Sequence, residues 1–247
     1  MGWNNARTLA PKAMSHTAEM KRKYGAQIQE CIDNSKVYTG CITPWSESTP
    51  EFIVDDNDSV TSIFNQSQYS DRIAVLNFAS FNSPGGGFIR GAMAQEEALC
   101  HASFLYNVLK AHESYYEKNI TMRNRGLYKN RAIYTPNVMF FRNEDSVVAD
   151  VITCAAPNKS LLYKYNKFTE MENLDALYSR IDFISNIVNE HKPEIVILGA
   201  FGCGVFKQNP VEVADIFHKV FRNSAAKTVV FSIPDSKNRL PFKCEFA

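Results

Sequence analysis

Residues 72–88 read RIAVLNFASFNSPGGGF. Arg72–Phe78 has the strand-like apolar rhythm of a short buried strand, and Pro84 with Gly85-Gly86-Gly87 ends it in a glycine loop. The arrangement occurs a second time. Residues 195–198 read IVIL and run straight into Gly199-Ala200-Phe201-Gly202-Cys203-Gly204. Both loops sit where the carboxyl end of a strand meets the next helix, the place where open α/β sheets gather ligands. A backbone without Cβ turns through positive φ and can press its amides against phosphate oxygens.

The rest of the chain alternates in the same way. Ser146–Thr153 reads as a strand, and Leu177, Ile181, Ile184 and Val188 mark one face of a helix that Lys192-Pro193 stops. Asn209-Pro210 is a helix start, with Val213, Ile216, Phe217 and Val220 as its buried stripe, and Thr228–Ser232 closes the pattern as a strand. Ala98, Ala102, Leu105 and Leu109 predict one helix running from the first glycine loop to about Lys110. Before residue 70 the signals are weaker: a helix over Ala18–Cys31, a loop over Thr43–Pro50 and a charged turn at Asp55–Asp58. Strands alternating with helices predict an α/β sheet covered on both faces. The expected organisation is a domain over residues 71–247 with an N-terminal extension, residues 1–70, packed against it.

Composition limits the function. With 45% apolar and 21% charged residues the 247-residue chain has the balance of a soluble globular protein. A formal charge of +1 is too small for bulk capture of duplex nucleic acid. The six cysteines, at 31, 41, 100, 154, 203 and 244, form no CxxC pair and lack metal-ligand spacing. Scattered single thiols suit a reducing compartment, and residues 1–14 lack the apolar run of a signal peptide. The expectation is a soluble, intracellular protein, without a membrane span, metal or cofactor.

Neither loop fits GxxxxGK[ST] or GxGxxG after an N-terminal strand, which disfavours a P-loop NTPase and a dinucleotide dehydrogenase. Two such loops suggest a diphosphate gripped from both sides by backbone amides. Seven residues beyond the glycine triplet stands Gln95-Glu96-Glu97. Taken alone, an acidic pair is the ordinary polar first turn of a helix, where carboxylates favour the positive dipole end. Adjacent helical side chains diverge by about 100°, so the two glutamates are not placed to oppose one another across a bond. One carboxylate would transfer a proton and the other would position sugar.

The order Asn77-Phe78-Ala79-Ser80, Pro84-Gly85-Gly86-Gly87-Phe88 and Gln95-Glu96-Glu97 resembles the signature of the bacterial-type poly(ADP-ribose) glycohydrolases. Gly199–Phe206 (GAFGCGVF) resembles the second phosphate loop of a macrodomain, and Tyr134-Thr135-Pro136 and Ala155-Ala156-Pro157-Asn158 are similar to further segments of that family. The resemblance covers about residues 70 to 235. It implies a macrodomain-like three-layer α/β/α sandwich with a mixed central sheet and a helical N-terminal extension. It implies hydrolysis of the ribose–ribose bonds of poly(ADP-ribose), mainly from chain ends, with ADP-ribose as product and ADP-ribosylated proteins as carriers of the substrate. By motif position Glu97 is the acid, expected to hold its proton through partial burial and neighbouring charge. Glu96 bonds a hydroxyl of the flanking ribose, and Phe206 fixes the reacting ribose. The ligand contacts expected with them are Asn77, Gly85, Gly86, Gly87, Phe88 and Gln95 on the first side. On the second side they are Gly199, Phe201, Gly202, Cys203, Gly204 and Val205.

Several readings stay open beside this one. His101, four residues after Glu97, can touch the site or line the helix; Phe201 and Phe206 can stack on a ligand or fill core; Cys203 is a weak candidate nucleophile. Asp145 and Asp150 flank a strand without metal-ligand spacing, and the place of Phe140-Phe141-Arg142 near the ligand is open. The alternatives in function are hydrolysis of another ADP-ribosyl linkage, to a nucleobase or an acyl group, and a macrodomain that binds ADP-ribose without turnover.

Overall fold

The computed structural model describes residues 3–247. Met1 and Gly2, the start of the stretch read as lacking a signal peptide, lie outside the described residues. In chain order the elements are α1 (Trp3–Asn34), β1 (Lys36–Thr39), β2 (Glu51–Asp55), α2 (Ser59–Gln66), β3 (Ile73–Phe78) and α3 (Gln95–His101). There follow α4 (Leu105–Ala111), α5 (Glu113–Thr121), β4 (Arg131–Arg142), β5 (Asp145–Cys154) and α6 (Ser160–Tyr165). The last are α7 (Glu170–His191), β6 (Ile195–Leu198), α8 (Pro210–Phe221), β7 (Thr228–Ser232) and α9 (Ser236–Glu245).

Among the described residues seven strands form one sheet in the order β1-β4-β5-β3-β6-β7-β2. The β5-β3-β6-β7-β2 side is parallel, and β1-β4-β5 is antiparallel. The sheet is therefore mixed, and alternate residues of its strands build two cores. Leu76, Ile152, Leu198 and Phe231 face one side, where Leu177, Ile181, Phe217 and Phe242 of α7, α8 and α9 pack. Val75, Val151, Ile197 and Val230 face the other, against Met20, Ile63, Leu99, Leu105 and Tyr116 of α1 to α5. This is the expected three-layer α/β/α sandwich. Continuous apolar strands are what a sheet buried on both faces demands.

Residues 36–55 of the expected extension supply both outer strands of this sheet, β1 and β2. Short strands at an edge, half exposed along β2, carry too little apolar pattern to announce themselves. The charged turn has a structural task, because Asp58 caps α2 by accepting from Thr61 N at 2.8 Å. Helix α1 is longer than expected, has Pro11 inside it and bends at Tyr24, where φ is −124°.

The helix expected to reach Lys110 is two helices. It breaks at Ala102–Phe104, where Ser103 bridges Phe140 and Ala102 O accepts from Phe141 N at 2.7 Å. Ser103 Oγ then accepts from Leu105 N at 3.0 Å and starts α4. Phe140-Phe141-Arg142 is thus the end of β4 that holds this junction. The expected starts and stops elsewhere are present: Asn209 Oδ1 accepts from Val211 N at 3.0 Å, and Lys192 ends α7 at φ +52° before Pro193.

Candidate active site

Three segments meet at the carboxyl ends of β3 and β6: the glycine triplet, the first turn of α3, and the loop after β6. Between them lies a cleft of about 410 Å³. From the first side Gly86, Gly87, Arg90, Gln95, Glu96 and Glu97 line it; from the second come Phe201, Gly202, Gly204, Val205 and Phe206. A second compartment of about 420 Å³ continues it past Phe78, Ala94, Gln95, Ala200 and Gly204. Its far walls are Asp58, Ser59 and Val60 at the start of α2, Ser232–Asp235 after β7, and Asn238 of α9.

Gln95 clips α3 to the end of β3. Its Oε1 accepts from Phe78 N at 2.8 Å, and its Nε2 donates to Leu76 O at 2.8 Å and Ser59 Oγ at 3.1 Å. The next two residues then enter the cleft wall in a fixed register. Glu96 is 4% exposed, and Glu97 is 6% exposed. Glu96 Oε2 accepts from Ser80 N at 2.7 Å and Oε1 from Asn77 Nδ2 at 3.3 Å. Burial pushes its carboxyl up to about 8, and the neighbouring Glu97 charge adds to the rise. Glu97 Oε1 accepts from Gly87 N at 2.8 Å and Oε2 from Ala94 N at 2.9 Å.

Gly86 decides how the pair is held. A Cβ there would stand 2.7 Å from Glu97 Oε1 and 2.8 Å from Glu96 Oε2, and its φ is +60°. Adjacent on the helix, the two carboxylates nevertheless reach toward the same glycine, one on each flank. The triplet's amides are spent inward as well: Gly86 N donates to Ser83 O, and Gly87 N to Glu97. In this arrangement the amides of Gly86 and Gly87, expected to face phosphate, are bonded within the protein.

The second loop is the reverse. Phe201 N and Cys203 N are bonded within the loop, but among the described residues the N–H groups of Gly202, Gly204, Val205 and Phe206 have no protein acceptor. A Cβ on Gly204 would meet no atom within 4 Å, so protein packing does not explain the glycine there. Four amides without a protein acceptor thus stand beside an open glycine.

Five expected contacts are not on the cleft wall. Phe88 is 0% exposed in the core, where its ring lies edge-on to His101 at 4.6 Å and tilted to Tyr106 at 5.0 Å. The short turn Phe88–Arg90 folds it inward, and His101 packs on it instead of reaching the site. Asn77 stands behind Glu96 and bonds Thr153 Oγ1 at 3.3 Å. Gly85 packs on Tyr106 and Cys100, and Gly199 on Ser232 O and Phe78. Cys203 turns its thiol to Phe201 O, and burial pushes it up to about 12, which removes it as a thiolate nucleophile. Phe201 and Phe206 do line the cleft, Phe201 edge-on to Phe78 and Phe206 beside Tyr128. Asp150 accepts from Tyr134 Oη and Asn137 N and braces β4. Among the described residues no three His, Cys, Asp or Glu side chains group as metal ligands. No described helix is long and apolar enough to cross a membrane.

The family model of the microbial-type PARG catalytic domain matches residues 7–143, more than half of the chain. The chain belongs to this family. PARG stands for poly(ADP-ribose) glycohydrolase, and membership makes the protein a glycosidase of that type. The matched residues include the triplet and Gln95-Glu96-Glu97, and structural similarity extends over the rest. The poly(ADP-ribose) glycohydrolase of Thermomonospora curvata superposes with a TM-score of 0.85 at 24% identity, over 98% of this chain and 100% of that one. The same enzyme bound to the inhibitor ADP-HPD gives 0.82 at 25% identity, over 98% of both chains. The Deinococcus radiodurans enzyme in complex with ADP-ribose gives 0.79 at 26% identity, over 88% of this chain and 96% of that one. No curated protein matches the sequence.

Two cleft features carried no readable signal in sequence. Arg90 is one basic residue among the chain's 27. The second compartment draws on segments from Asp58 to Asn238 that only the fold assembles.

Proposed function

We propose that this glycosidase hydrolyses the ribose–ribose bond of poly(ADP-ribose) at chain ends, with the Glu96–Glu97 pair as its proton-transfer unit. The observation that carries the reading is the convergence of both carboxylates on Gly86, in the wall of a cleft whose opposite side offers free amides. The unspent N–H groups of Gly202, Gly204, Val205 and Phe206 bind the diphosphate of the terminal unit. The compartment bounded by Val60, Phe78, Met93, Ile233 and Pro234 takes its adenosine, with Asp58, Asp235 and Asn238 as polar partners. A pocket walled by α2, α3 and α9 suits a terminal unit, which is the basis for chain-end action. The reacting ribose then lies between Phe206 and the glutamates.

Cleavage breaks the bond from the anomeric carbon to the departing oxygen. Glu97 gives its proton to that oxygen, and water adds to the anomeric carbon and returns a proton to Glu97. Glu96 bonds a hydroxyl of the same ribose. Burial, with the neighbouring Glu97 charge adding to it, favours the protonated form of Glu96 beside the reacting ribose. The bound diphosphate stabilises the developing positive charge, the part an opposed second carboxylate plays in other glycosidases.

The raised carboxyl of Glu96 favours a second reading, in which Glu96 is the donor. The two are separated by incubating automodified polymer with each variant and measuring free ADP-ribose. Glu97→Gln is expected to lose at least about a hundredfold in turnover while ADP-ribose affinity stays within a few-fold. An active Glu97→Gln beside an inactive Glu96→Gln would exchange the roles. Polymer bound by the parent protein without any release of ADP-ribose would overturn the reading itself. Short oligomers appearing before monomer would overturn chain-end action.

A further inference from the structure

Arg90 is the one basic side chain among the described residues that line either compartment of the cleft. It closes the turn Phe88–Arg90, whose buried Phe88 anchors it from below. Its side chain is exposed, and Nη2 donates to Gly86 O at 3.1 Å. No carboxylate pairs with it among the described residues, so the remaining guanidinium donors are unspent. Gly86 is also the residue that both glutamates face, which puts Arg90 at the glutamate end of the cleft. It lines that compartment and not the adenosine compartment.

The position has a consequence for a polymeric substrate. On the far wall the free amides of Gly202, Gly204, Val205 and Phe206 already provide, in the reading proposed above, for the diphosphate of the terminal unit. Beyond the scissile bond the chain continues with another ribose and another diphosphate. That segment must approach two buried carboxylates, and an exposed guanidinium is the group that offsets their charge and matches phosphate in geometry.

We propose that Arg90 binds the diphosphate of the polymer unit on the departing side of the scissile bond. It is thereby a determinant of specificity for polymer over a single ADP-ribose. The inference rests on the reading under Proposed function, and it assigns Arg90 no part in proton transfer.

The test compares the parent with Arg90→Gln and Arg90→Lys. Arg90→Gln is expected to leave the affinity for free ADP-ribose within twofold. It should raise KM for polymer about tenfold, the worth of a charged hydrogen-bonded contact, with kcat within twofold. Arg90→Lys should recover most of the loss, and the salt dependence of polymer KM should be weaker in Arg90→Gln than in the parent. A parallel loss of ADP-ribose affinity would place Arg90 on the terminal unit's phosphates and overturn the proposal. An unchanged polymer KM would overturn it equally. Release of ADP-ribose by the parent tests the underlying reading separately. If the parent binds labelled polymer without cleaving it, that reading falls. Anisotropy then decides Arg90, with equal polymer affinity in parent and Arg90→Gln as the refuting result.

Discussion

Glu96 is a carboxyl that the fold keeps out of water, and its ionisation is coupled to both stability and chemistry. Its value in the folded chain, about 8, lies above that of an exposed carboxyl. Such a group contributes stability that is fully present below the unfolded value of 4.5, and it is lost as pH rises through 8. Thermal melts of the parent are therefore expected to fall from about pH 5 to pH 8 by more than those of Glu96→Gln, whose amide does not ionise. Coincident pH profiles for the two proteins would refute this. In the reading with Glu96 as donor the same proton is needed for turnover, so kcat/KM on polymer should decline as pH passes about 8. A profile that rises through pH 8 to 9 would exclude Glu96 as the donor. The sequence named both glutamates and their neighbours in the motif. It did not show that Glu96 would be raised, because that depends on tertiary burial outweighing the hydrogen bonds from Ser80, Asn77 and Gly85, which favour the ionised form.

At the scale of elements, the two glycine loops perform different work despite similar sequences. A Cβ at Gly86 strikes both carboxylates and requires φ +60°, so Gly86→Ala is expected to cost about 1–3 kcal/mol and to disturb turnover together with stability. A Cβ at Gly204 meets no protein atom, so Gly204→Val should leave urea unfolding within about 0.5 kcal/mol of the parent. It should still weaken ADP-ribose binding tenfold or more, because it fills ligand space. Equal destabilisation in the two variants, or tight binding by Gly204→Val, would contradict this division. The register of α3 has its own test. Gln95→Ala removes two hydrogen bonds between α3 and the β3 end and one to Ser59 of α2, and leaves Phe78 N and Leu76 O without their Gln95 partner, an expected loss of about 1–3 kcal/mol in denaturant unfolding. The break between α3 and α4 was illegible, since Ala98, Ala102, Leu105 and Leu109 keep helical spacing across it. The pairing of Ser103 with Phe140, distant in sequence, overrides that local pattern.

Over the whole molecule, one buried guanidinium ties the second half of the cleft to the rest. Arg180 of α7 is 1% exposed and donates to Ala155 O, Leu127 O and Asn130 Oδ1. The segment it holds leads into α6, whose Ser160 N donates to Phe206 O at 3.0 Å. Arg180→Leu leaves the buried carbonyls of Ala155 and Leu127 without this donor, for an expected cost of about 2–5 kcal/mol and a looser Phe206. Calorimetric melting and ADP-ribose titration check both effects; a variant as stable as the parent would show that α7 does not anchor this wall. The features legible in the chain alone are local and periodic. The buried strands β3, β5, β6 and β7, the helix stops, both glycine loops and the Gln95-Glu96-Glu97 triad follow from apolar runs, caps and side-chain chemistry within a few residues of each other. Long-range packing alone puts residues 36–55 at both edges of the sheet, occupies the amides of Gly86 and Gly87 within the protein, and leaves Arg90 as the one basic side chain beside the glutamates among the described residues lining the cleft. Each of these depends on which distant segments share a surface, and burial and hydrogen bonding act across that surface irrespective of distance along the chain.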